Sequence, residues 1–166
     1  MWIAILEFLG RLVSPVAKWF ERRRLASESK ADHDRRKFEG ADRVLGEEDL
    51  MHQLAGLKST LRCDSRGIKK LWDFAAYLNR AENSFLNSTI RAKSESTAES
   101  FYTLLLFIDA NFIMRNARSS ELLKLDRPRE DPEADQALMK SLRKKADEVA
   151  SEFIQLRSTA KTELHI

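Results

Sequence analysis

Three histidines, one cysteine and a few isolated carboxylates are the side chains here that could do chemistry, and their spacing decides which could act together. His33 stands between Asp32 and Asp34, donor types that bind divalent metals. Adjacent positions on a helix point about 100° apart, so these three cannot close on one ion without ligands from elsewhere. His52 has Glu48 one turn before it, which makes two donors and no local third. An i,i+4 contact on a solvated face accounts for that pair. His165 lies at a fraying end, so neither a metal nor a cofactor is expected.

Asp109 interrupts a strongly apolar run. Shielded there, it could serve as a general acid. A lone carboxylate without a His, Lys or second acid nearby makes a poor catalyst, however. The simpler expectation is a carboxylate near a helix end that bonds a backbone group or pairs with Arg115. Cys63 is the single cysteine, which excludes an internal disulfide and favours a reducing compartment. It is expected to be a small, partly buried hydrophobe. No GxGxxG, P-loop, GxSxG or HExxH pattern is present, and the expected protein is not an enzyme.

Three basic clusters could meet phosphates: Arg22-Arg23-Arg24, Arg35-Arg36-Lys37 and Arg143-Lys144-Lys145. Each has acids close by, namely Glu21 and Glu28, Asp34 and Glu39, and Asp147 and Glu148. A solvated face laced by i,i+4 pairs is the expected outcome. The net charge of +3 is unevenly placed. Residues 1–45 hold ten Lys/Arg against seven Asp/Glu, whereas 46–115 hold nine against nine and 116–166 ten against ten. A body this balanced argues against a broad nucleic-acid-binding surface.

Residues 1–30 hold the excess, and they are the stretch most suited to attachment. Plotted as a helix, Trp2, Ile5, Phe8, Leu9, Leu12, Val16 and Trp19 fall in one apolar arc, while Glu7, Arg11, Ser14 and Lys18 gather opposite. Arg22, Arg23 and Arg24 follow. This pattern suits a helix lying in a membrane interface, its apolar face at the acyl boundary and its cations on anionic headgroups, each worth about 1 kcal/mol. It equally suits a helix packing on protein. A span would bury Glu7 and Arg11, and a secretory signal would need a basic n-region and a small-residue cleavage site. Ser14-Pro15 reads as a cap and first helical residue, which splits the segment near 13–15.

The rest of the chain, residues 31–166, reads as one helical domain. Asp32 is a candidate cap for a helix through Leu45, with Phe38 and Ala41 on its inner face. Gly46 ends it, and Glu47, Glu48 and Asp49 favour the first turn of the next helix, whose stripe is Leu50, Met51, Leu54 and Leu57. Asp64-Ser65 starts a third helix with Leu71, Trp72, Phe74, Ala75 and Leu78. Asn87–Ser100 reads as the solvated half of a helix that becomes Phe101–Ile113. Ten of those thirteen residues are apolar or aromatic and lie nearly all round the helix, so that rod is expected to be enclosed by its neighbours. A short helical turn is expected at Ser119–Leu125. Asp131-Pro132-Glu133 is the clearest helix start. Beyond it Leu142, Ala146, Val149, Phe153, Leu156 and Ala160 form a heptad seam that can line the bundle or pair with a second copy.

The expected fold is therefore all-α: a bundle of five to six helices, with an N-terminal amphipathic helix and a long heptad-like C-terminal one. The expected function is that of a cytoplasmic, non-enzymatic interaction or adaptor protein, peripheral at the inner face of a membrane. It would attach to anionic lipid or to a partner protein through the ten residues Trp2 to Arg24 named above. The rivals are a nucleic-acid-associated helical protein and a small enzyme with a non-local site.

Overall fold

The computed structural model describes residues 23, 26, 29–61, 65–117, 120–125 and 132–166. The chain is mostly helical. Residues 29–44 form α1, followed by α2 (Glu47–Thr60), α3 (Ser65–Asn79), a 3-10 turn (Ala81–Asn83), α4 (Ser88–Asn111), an antiparallel hairpin of β1 (Phe112–Ala117) and β2 (Ser120–Leu125), and α5 (Pro132–Leu164).

The helix boundaries follow local chemistry in most places. Gly46 separates α1 from α2, and the three acids Glu47, Glu48 and Asp49 occupy the first turn of α2 as the helix dipole favours. α2 ends on Leu61, which takes the left-handed conformation at φ 55° and turns its N–H back to the Gly56 carbonyl. Asn87 caps α4 by accepting from the N–H groups of Thr89 and Ile90 at 2.9 and 3.2 Å. Asp32, by contrast, is no cap: residues 29–33 are already helical, and Asp32 pairs with Arg35 at 3.2 Å inside the helix.

α4 packs between α3 and α5, and α5 also packs on α2. Phe74, Phe101 and Phe153, one from each of α3, α4 and α5, meet at its centre with ring centroids 5.0, 5.4 and 6.5 Å apart. Every member of the heptad seam of α5, from Leu142 to Ala160, is buried, with Leu164 continuing it. The seam faces the protein's own core.

Three further expectations are corrected. The apolar rod is not enclosed all round: Phe101, Leu104, Leu105 and Ile108 are buried, but Leu106 is 58% exposed and Tyr102 and Phe107 are half-buried. A helix with two main neighbours has one face left for water. Next, the half of α4 read as solvated carries its own buried stripe, Ile90, Ser94, Thr97 and Ala98, at helical spacing. Small and polar residues disguise it. The Thr97 hydroxyl donates to the Lys93 carbonyl at 2.8 Å, so its burial leaves no orphan group. Finally, α4 stops at Asn111 and the next residues pair as a hairpin, Phe112 opposite Leu125 and Ala117 opposite Ser120, where a helical turn at Ser119–Leu125 was expected. Phe112 adopts φ −132° and ψ 140°, and the ladder between the strands takes up backbone groups that the ended helix no longer pairs.

Candidate functional site

Of the sequence-derived attachment residues, only Arg23 is among the described ones, where it is helical and exposed. Trp2, Ile5, Phe8, Leu9, Leu12, Val16, Trp19, Arg22 and Arg24 lie outside the described residues, as does Cys63. The structure instead directs attention to the second basic cluster and the face of α1 that carries it.

His33, Arg36, Lys37, Gly40 and Arg43 fall within an arc of about 120° of α1, over about 15 Å of its length. Together with Tyr77 of α3 they line an open cleft of about 530 Å³. The cleft owes its shape to a glycine. Gly40 stands within a helix, where glycine costs about 1 kcal/mol relative to alanine. A methyl group at Gly40 would overlap the Tyr77 hydroxyl and come within 3.0 Å of its ring carbon Cζ. Its absence lets the ring lie against α1, with the hydroxyl donating to the Lys37 carbonyl at 3.0 Å. Burial raises the pKa of this phenol above its ordinary value and the neighbouring Arg43 charge opposes that rise, so at neutral pH the hydroxyl keeps its proton and acts as a donor.

Three of the four acids of α1 near this cluster are engaged elsewhere. Asp34 is 1% exposed, and its two carboxylate oxygens accept from the backbone N–H groups of Leu86 and Asn87 at 2.7 and 2.8 Å. It thereby ties α1 to the segment leading into α4. Asp32 pairs with Arg35, whose guanidinium also donates to the Leu164 carbonyl at 3.3 Å. Asp42 pairs with Arg157 of α5. Glu39 is exposed, and among the described residues only its backbone carbonyl is used, as acceptor for Arg43 Nε at 3.3 Å. Arg36, Lys37 and Arg43 consequently form no ion pair among the described residues.

Arg157 shows the other way this protein uses a cation. Its side chain is 16% exposed, its guanidinium lies 5.6 Å from the ring centroids of both Phe38 and Phe153, and it pairs with Glu47 at 3.0 Å as well as with Asp42. That arrangement joins α5 to α1 and α2, and its role is structural. The third basic cluster is also occupied: Arg143 donates to the Lys58 carbonyl at 3.1 Å, Lys144 faces Glu148 at 3.7 Å, and Lys145 lies over the Phe107 ring at 5.5 Å. Only Lys144 of this third cluster makes the i,i+4 pair that the sequence suggested, since Asp147 pairs instead with Lys58 of α2 at 2.8 Å.

The other candidates for chemistry do not assemble. Asp109 is exposed on α4 and is no shielded acid. His52 and Glu48 are both exposed on α2, and His33 Nε2 lies 3.4 Å from the Ser84 carbonyl. Among the described residues no three His, Cys, Asp or Glu side chains converge as a metal site, and no helix is long and apolar enough to cross a membrane.

Sequence reasoning missed Tyr77, Gly40 and the role of Asp34. A helical glycine amid charged residues was the one signal available, since such a glycine often marks a close approach by a neighbour. No protein-family model, curated protein or solved structure matches this chain.

Proposed function

We propose that the protein is a non-enzymatic helical attachment module whose N-terminal segment, residues 1–30, docks on an anionic membrane surface. Trp2, Ile5, Phe8, Leu9, Leu12, Val16 and Trp19 supply the apolar contact, and Arg22, Arg23 and Arg24 the electrostatic one. The observation that carries this reading is the cationic face of α1. Arg36, Lys37 and Arg43 continue the positive charge of the segment onto the folded bundle, without acid partners among the described residues. A single amphipathic helix attaches reversibly, and a second weak contact on the same chain raises residence by effective concentration. On this reading the protein is a peripheral component of the inner, anionic face of a membrane. Docking on a partner protein through the same apolar face is the competing version.

Co-sedimentation of the full chain with phosphatidylcholine vesicles, with and without phosphatidylserine, tests this. The chain is expected to pellet only with phosphatidylserine, and a Leu9→Glu, Leu12→Glu variant to stay in the supernatant. A wild-type chain that stays in solution with anionic vesicles at low salt overturns the membrane version and leaves partner docking. Mobility shift of a duplex oligonucleotide over a salt series addresses the nucleic-acid alternative, which a steep salt slope would favour.

A further inference from the structure

We infer that the cleft between α1 and α3 is a binding site for a phosphomonoester dianion, as carried by a phosphorylated inositol headgroup or by free phosphate. The site stands on the cleft's own geometry, and only its lipid source rests on the membrane reading above.

Arg36 and Arg43 sit two turns apart on one face of α1, with Lys37 between them and the Tyr77 hydroxyl at the floor. Arginine presents a planar fork that grips two phosphate oxygens at once, and lysine adds a compact point charge. The volume of about 530 Å³ falls within the range of about 300–1,000 Å³ that small-molecule sites occupy. Three cations line the cleft, and Glu39 stands on α1 three residues from Arg36 and four from Arg43, which leaves a surplus of two positive charges. A phosphomonoester near neutral pH carries between about −1.5 and −2, so the charges match.

What makes this a site and not an ordinary charged helix face is the removal of three of its four counter-charges. A helix bearing Asp32, Asp34, Glu39 and Asp42 among its basic residues would ordinarily neutralise itself through i,i+3 and i,i+4 pairs. Here the buried Asp34 is held by two backbone N–H groups, Asp42 lies on the opposite side of α1 with Arg157, and Asp32 is held by Arg35. The other two basic clusters differ: the third is engaged by protein groups, and the first precedes the bundle. A phosphodiester backbone would need a run of such cations along its length, which the balanced remainder of the chain does not supply.

The test is calorimetric titration of the full chain with inositol 1,4,5-trisphosphate, with inorganic phosphate as competitor, repeated on Arg36→Gln, Arg43→Gln and the control Lys144→Gln. All three positions are exposed, and thermal unfolding checks that each variant folds. Saturable binding that phosphate displaces, weakened about tenfold or more by Arg36→Gln and by Arg43→Gln but not by Lys144→Gln, is expected. No saturable binding, an equal loss in the control, or displacement by a duplex oligonucleotide as readily as by phosphate overturns the assignment. Vesicles then identify the source. Stronger co-sedimentation with phosphatidylinositol 4,5-bisphosphate than with charge-matched phosphatidylserine, abolished by Arg36→Gln, supports a headgroup. Equal co-sedimentation with both supports a soluble phosphate at the same cleft. The Leu9→Glu, Leu12→Glu variant keeps its trisphosphate binding in either case, which separates failure of the membrane reading from failure of the site.

Discussion

Replacing Gly40 by alanine in a solvated helix ordinarily stabilises it by about 1 kcal/mol. Here the sign is expected to reverse. The new methyl group would occupy the position of the Tyr77 hydroxyl and crowd Cζ at 3.0 Å, so the ring has to move. Moving it breaks the bond from the hydroxyl to the Lys37 carbonyl, worth about 1 kcal/mol, and overpacking of this kind costs about 1–3 kcal/mol. Tyr77 is only half-buried and can swing outward, which keeps the cost at the lower end. Set against the propensity gain, Gly40→Ala should lose about 1–2 kcal/mol. In a Tyr77→Ala background nothing blocks the methyl, and the same change should gain about 0.5–1 kcal/mol. The coupling in this double-mutant cycle is therefore about 1.5–3 kcal/mol, read from urea unfolding followed by circular dichroism. If Gly40→Ala stabilises the protein equally in both backgrounds, Tyr77 does not lie against α1 and the cleft lacks its floor.

Other perturbations probe the bundle itself. Asp34→Ala removes the acceptor for two backbone N–H groups and should cost about 2–4 kcal/mol, with faster hydrogen exchange at Leu86 and Asn87 as the local signature. Phe101→Ala opens a cavity beside the Phe74 and Phe153 rings and should cost about 3–5 kcal/mol in urea unfolding, whereas Leu106→Ala on the exposed side of the same helix should change stability by less than about 0.5 kcal/mol. The Glu152 carboxylate has its pKa lowered chiefly by its hydrogen bond with Lys93, at 2.9 Å, and further by the Ser96 hydroxyl at 2.8 Å, against the opposing effect of burial. A depressed folded-state pKa stabilises above the ordinary carboxylate value and is lost as pH falls through the folded one. Thermal unfolding from neutral to acidic pH should thus fall more steeply for wild type than for Glu152→Gln; parallel curves would show that the Lys93 contact contributes nothing.

Much of the helical framework is written in short-range pattern. Pro132 starting α5, the acids opening α2, and the seam from Leu142 to Ala160 each depend on residues within a turn or two of one another, so periodicity and capping chemistry reveal them. The hydrophobic rod at Phe101–Ile113 is legible as a core helix for the same reason as far as Asn111, but how many sides it would bury is not. That number depends on how many helices gather round it, which no local spacing records. Ser94 and Thr97 show the converse: polar residues become core because α5 approaches closely and the Thr97 hydroxyl finds a carbonyl in its own helix.

The candidate cleft belongs almost wholly to the second kind of information. Composition and order reveal that positive charge gathers near residues 22–37, and that acids stand beside it. Whether those acids neutralise their neighbours is settled by partners far along the chain: the N–H groups of Leu86 and Asn87 for Asp34, and Arg157 for Asp42. Tyr77 reaches Gly40 across a separation of 37 residues, which is a consequence of how α3 packs on α1. Local sequence states which charges exist and which helices carry them. Tertiary packing chooses which stay unpaired, because an ion pair or a backbone cap forms only where folding brings its two halves within hydrogen-bonding distance.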